Sequence, residues 1–172
     1  MIDFFHKGAE INKRITGVAT LKGAPVVESR PLDKPRRIGR IATFFDGDKK
    51  LCSLLLEVAD TPEKRRKGLM GRERMPNVCG MMFDGLEGGG YFWMKGCLMP
   101  IDVAFIDKDG KVTKTYSMPV DKDGKKHYDY DEDDKSAIEM NQGVLARKGI
   151  SKGCRVEVRE LKGREKKEED DE

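Results

Sequence analysis

Residues 92–117 read FWMKGCLMPIDVAFIDKDGKVTKTYS, and this stretch decides the fold. Ile101–Ile106 is a short apolar run, which predicts a buried strand. Asp107-Lys108-Asp109-Gly110 carries a hairpin-turn signal, and Lys111–Ser117 returns as the partner strand. Phe92–Met94 is expected to be another buried strand.

Working outward, the same grammar repeats upstream. Ile38–Phe45 (IGRIATFF) and Leu51–Val58 (LCSLLLEV) flank the turn Asp46-Gly47-Asp48, and so predict a second hairpin. Next comes Asp60-Thr61-Pro62-Glu63. Thr61 suits a helix N-cap, Pro62 the first helical position, and Glu63 the positive end of the helix. A short helix should run to about Lys67 and stop at Gly68 or Gly71. Its bases, Lys64–Lys67, read as a solvated face. Downstream, residues 121–136 (DKDGKKHYDYDEDDKS) are expected to form a long acidic loop. Ala137–Met140 is a predicted strand, Gln142–Lys148 a short helix closed by Gly149, and Arg155–Arg159 a last strand. Many short strands with two short helices predict an α+β, β-rich class, as a small barrel-like antiparallel or mixed sheet.

Composition confines that fold to part of the chain. Of 172 residues, 37% are hydrophobic and 38% charged, so one core cannot include them all. Three regions follow: an extended basic arm at 1–37, a β-rich domain at 38–160, and a charged, disordered-looking tail at 161–172. Residues 30–40 carry five bases and two prolines. Arg30, Lys34, Arg36, Arg37 and Arg40 are therefore candidates for docking on a partner. The net charge is only +3, from 34 bases against 31 acids, which argues against a dedicated nucleic-acid binder. The N-terminus has neither a signal-peptide apolar region nor a membrane span, so cytoplasmic synthesis is expected. The four cysteines include no C-x-x-C pair, which argues for free thiols and against a zinc ribbon.

The segments EVADTPEKRRKGLMGRERMP (57–76), GMMF (80–83), FWMKGCLMPIDVAFIDKDGKV (92–112) and AIEMNQGVLARKGISKGCRVEV (137–158) resemble a bacterial and archaeal family, domain of unknown function 192. The resemblance spans about residues 51–160. It implies a compact β-rich domain with a short helix after the first core strand, and it implies no activity. Family members usually carry Asn-Thr where this chain has Gly96-Cys97. Some members are exported, and some are encoded in bacteriophage genomes.

Two sets of residues carry candidate chemistry. Trp93, Lys95, Cys97 and Asp102 crowd one segment and could bind a small ligand, or support nucleophilic chemistry if the thiol were activated. The plainer reading has Trp93 packing the core while Lys95 and Asp102 satisfy backbone groups or each other. Six methionines between Met70 and Met99 read as core filling rather than a Cu(I) site. The acidic loop lacks the spacing of an EF-hand and reads as solvated. No cofactor, metal or membrane contact is expected. The favoured function is a non-enzymatic structural or accessory module of a larger assembly, such as a phage virion, anchored by the arm to protein partners. The alternative is a small-ligand-binding protein or enzyme using the Trp93/Lys95/Asp102 region.

Overall fold

The computed structural model describes residues 38–161; the arm at 1–37, with Arg30, Lys34, Arg36 and Arg37, and residues 162–172 lie outside the described residues. The elements are β1 (Ile38–Asp46), β2 (Lys49–Ala59), α1 (Pro62–Lys67), β3 (Cys79–Asp84), β4 (Gly90–Trp93) and β5 (Ile101–Asp107). They continue as β6 (Val112–Met118), β7 (His127–Tyr130), β8 (Asp134–Asn141), α2 (Val144–Lys148) and β9 (Arg155–Glu160). The domain is β-rich with two short helices, as its pattern predicts.

Seven strands form one sheet in the order β6-β5-β8-β3-β2-β1-β9, and β4 pairs with β7 in a separate ribbon. The sheet is mixed because β2 and β3 run parallel. A parallel pair needs a crossover, and α1 with the loop to residue 78 supplies it. Thr61 caps α1, its side chain accepting from the Lys64 amide at 3.3 Å. The β1–β2 and β5–β6 hairpins turn where the Asp-Gly signals stand. In the second, the Asp107 carboxylate accepts from the amides of Asp109 and Lys111, both at 2.9 Å.

The edge strands β6 and β9 meet at one end. Lys111 bridges Arg155, the Val112 amide donates to Cys154 at 2.8 Å, and the Val156 amide donates to Gly110 at 2.7 Å. Two edges of one sheet meet only if the sheet curls. The pairing stops there, so the sheet is curled and open rather than a closed barrel.

Both faces of the sheet are covered, which is why its central strands read as continuous apolar runs. One face gathers Ala42, Phe44, Leu54, Leu56, Met82, Ala104, Ile138 and Met140 around α2. The other packs Met81, Phe83, Val103, Phe105 and Ala137 beneath a cover built from Leu69, Met75, Leu86, Met94, Cys97, Met99 and Tyr128. Five of the six methionines between Met70 and Met99 are buried in these two cores.

Three expectations are corrected. The strand near Trp93 is β4, which starts at Gly90 and lies in the outer ribbon; Tyr91 and Trp93 are 51% and 39% exposed, and only the following Met94 is buried. The 121–136 loop contains β7, which β4 holds by pairing. β8 begins at Asp134 rather than Ala137. The fully buried Asp134 carboxylate accepts from Thr113 and from the Asp131 amide, and so extends the strand.

Candidate ligand site

The sequence AIEM in β8 sets up the site. Side chains alternate faces along a strand. Ile138 and Met140 enter the α2-side core, so Ala137 and Glu139 enter the layer beneath the cover. The sheet register aligns Glu57, Met81, Glu139, Val103 and Tyr116 across five strands.

This row holds two buried carboxyls with different fates. Glu57 accepts from Nη1 and Nη2 of Arg72, both at 2.6 Å, from the turn that follows α1. Glu139 is 5% exposed, and its Oε2 has no hydrogen-bond partner in the protein. Burial pushes its carboxyl up to about 8, with Arg72 opposing the shift. The shift favours the protonated acid, which can both donate and accept. An unsatisfied buried polar group costs about 1–3 kcal/mol, so its presence asks for a reason.

Glu139 lines a cavity of about 360 Å³ between the 65–70 segment and the β4–β7 ribbon. Its buried end holds Glu139 and Cys97. Its walls are Leu69, Met70, Phe83, Leu86, Phe92 and Tyr130, and its open end carries Tyr91, Trp93 and the bases Arg65, Arg66 and Lys67. The cover is fixed where the Gly71 amide donates to the Gly96 carbonyl at 2.9 Å, joining the GLMG turn to the FWMKG loop. Arg65 is anchored by donating to the Asp84 carbonyl at 2.8 Å.

The sequence-predicted candidates separate. Trp93 and Cys97 line the cavity. Burial, and then Glu139, push the Cys97 thiol up to about 11, the opposite of nucleophile activation. Lys95 lies outside the lining, its ammonium 5.5 Å from the centre of the Trp93 ring. Gly124 packs on its Cβ, where any side chain at 124 would come within 2.6 Å. Asp102 is on the other face of the sheet, fully buried. It accepts from the Ser117 hydroxyl at 2.6 Å and from the Leu145 amide at 3.0 Å. It thereby caps α2 from a distance, since the N-cap of that helix is Gly143, which has no side chain to do so. Arg40, in β1, is held by Asp84 and Glu160 of the same chain.

Sequence reading missed Glu139; the bases Lys64–Lys67 are unburied, as a solvated face requires, and Arg65, Arg66 and Lys67 also line the cavity. The available signal was one acid in the centre of an otherwise apolar strand. Among the described residues, no group of three His, Cys, Asp or Glu side chains is placed to hold a metal ion. No helix among them is long and apolar enough to cross a membrane.

The model of the DUF192 family, described as an uncharacterized ACR, matches residues 44–158. No curated protein matches the chain. A crystal structure from Sinorhizobium meliloti 1021, described as a "putative transcription regulator", is similar with a TM-score of 0.64 and 30% identity, over 70% of this chain and 92% of that one. A crystal structure from Novosphingobium aromaticivorans DSM 12444, described as a protein of unknown function, is similar with a TM-score of 0.63 and 26% identity, over 68% of this chain and 83% of that one.

Proposed function

This chain belongs to the DUF192 family, and from its geometry we propose that it is a small-molecule-binding domain rather than a catalyst. The observation that carries the reading is Glu139, a buried acid whose Oε2 has no hydrogen-bond partner, on the wall of a preformed cavity. Binding sites are concave, mostly apolar and equipped with a few polar groups that fix orientation. The cavity has that form, at the lower end of the usual range of about 300–1,000 Å³. Catalysis by Cys97 is disfavoured because its thiol stays protonated at neutral pH. Asp102 is committed to α2 on the far face.

Trp93 is the only tryptophan and lines the cavity, so its fluorescence reports occupancy directly. A fragment library titrated against the full chain should yield ligands that change this fluorescence and raise the melting temperature. The response should disappear in Glu139→Met. A library with no such ligand would defeat the reading. The rival proposal is an assembly subunit, such as a virion protein, anchored by residues 1–37. It predicts that deleting those residues abolishes incorporation while the domain stays folded.

A further inference from the structure

The cavity is asymmetric, and its asymmetry describes a ligand. Three bases, Arg65, Arg66 and Lys67, stand together at the open end. The buried end offers Glu139, whose Oε2 has no hydrogen-bond partner within the protein. Between the ends the walls are aromatic and aliphatic. Phe92 stands edge-on to Phe83 at 4.9 Å and to Tyr130 at 6.0 Å, so the rings pack on one another and present aromatic surface to the cavity.

Resting on the reading of the cavity as a binding site, we infer that its ligand is a small organic anion with a flat apolar body, its charged end at Arg65, Arg66 and Lys67 and a hydroxyl or carbonyl at its far end on Glu139. Each part has a physical reason. A carboxylate or phosphate at the open end stays partly hydrated while it gains charge-assisted hydrogen bonds. A cation there would meet three like charges. A flat body replaces water against aromatic walls without ordering many rotors. A hydroxyl or carbonyl at the tip satisfies the buried Oε2 of Glu139, and a buried group left unpaired discriminates strongly against an analogue that lacks the tip. The volume admits a molecule of one or two rings.

The test uses the full chain and three single-ring probes read by Trp93 fluorescence and calorimetry. These are 4-hydroxyphenylacetate, phenylacetate, which lacks the tip, and tyramine, which is cationic. The expected order is 4-hydroxyphenylacetate tightest, with a Kd at or below about 1 mM, then phenylacetate, then tyramine. Arg66 and Lys67 are exposed, so Arg66→Ala/Lys67→Ala should fold normally; it should weaken both acids about 5- to 50-fold and, by removing two like charges, should not weaken tyramine. Glu139→Met should remove the advantage of 4-hydroxyphenylacetate over phenylacetate. Tyramine binding as tightly as the acids would overturn the anion inference and leave the small-molecule reading standing. Failure of all three probes would also overturn it. If the fragment library fails as well, the reading beneath it falls.

Discussion

Glu139 ties stability to function at the level of one residue. Its folded-state carboxyl is raised from 4.5 to about 8, so between those values the folded chain holds a proton that the unfolded chain has released. Stability from this group is therefore full below about 4.5 and lost as pH rises toward 8. Urea unfolding across that window should show stability falling with pH in the wild type, and a flatter profile in Glu139→Gln. At pH 8, Glu139→Met should unfold at higher urea, by about 1–3 kcal/mol, because it removes an unsatisfied buried acid. A rise in stability together with lost binding is the mark of a residue retained for function. The thiols give a second test. Cys52 is half-buried, while Cys79, Cys97 and Cys154 are buried. Maleimide should label Cys52 first in the folded protein, and label all four only after denaturation. Rapid labelling of Cys97 at neutral pH would contradict its protonated, enclosed state.

At the level of elements, the crossover from β2 to β3 depends on two close fits. Gly80 in β3 lies against β8, and a Cβ there would stand 2.7 Å from the Glu139 carbonyl oxygen. Gly80→Ala must push two paired strands apart. It should cost about 1–3 kcal/mol in chemical unfolding and should disturb the cavity through Glu139. The Glu57–Arg72 pair pins the turn after α1 to β2. Arg72→Met leaves the Glu57 charge buried without its partner, at a cost of about 3–5 kcal/mol, and the added change Glu57→Gln should restore much of that loss. These elements differ in how legible they were. The two Asp-Gly hairpins and the Thr61-Pro62 helix start are set by local chemistry, so they stand where the sequence places them. β3 and β7 are not. CGMMFD is strand because β2 and β8 flank it, and HYDY is strand because β4 pairs with it, partners that lie 20 or more residues away.

At the scale of the whole molecule, the described residues form a curled sheet with two covered faces, and that arrangement should stand without the chain ends. A protein truncated to residues 38–161 should unfold in one transition and bind the same probes as the full chain, by calorimetry. Loss of folding in that truncation would show that the ends complete the core. Family, β-rich class, hairpins and both helices were legible in the sequence alone, because turn chemistry, capping and apolar periodicity act over a few residues. The separation of Asp102 from Trp93 was not legible from their nine-residue spacing. Strand alternation sent Asp102 through the sheet to hold α2, while Trp93 stayed in the outer ribbon. Nor could the sequence bring Arg65 and Trp93 to the mouth of a cavity with Glu139 at its base. Strand pairing across the sheet and the hydrogen bond from Gly71 to Gly96 did that, and long-range contacts of this kind leave no local pattern in the chain.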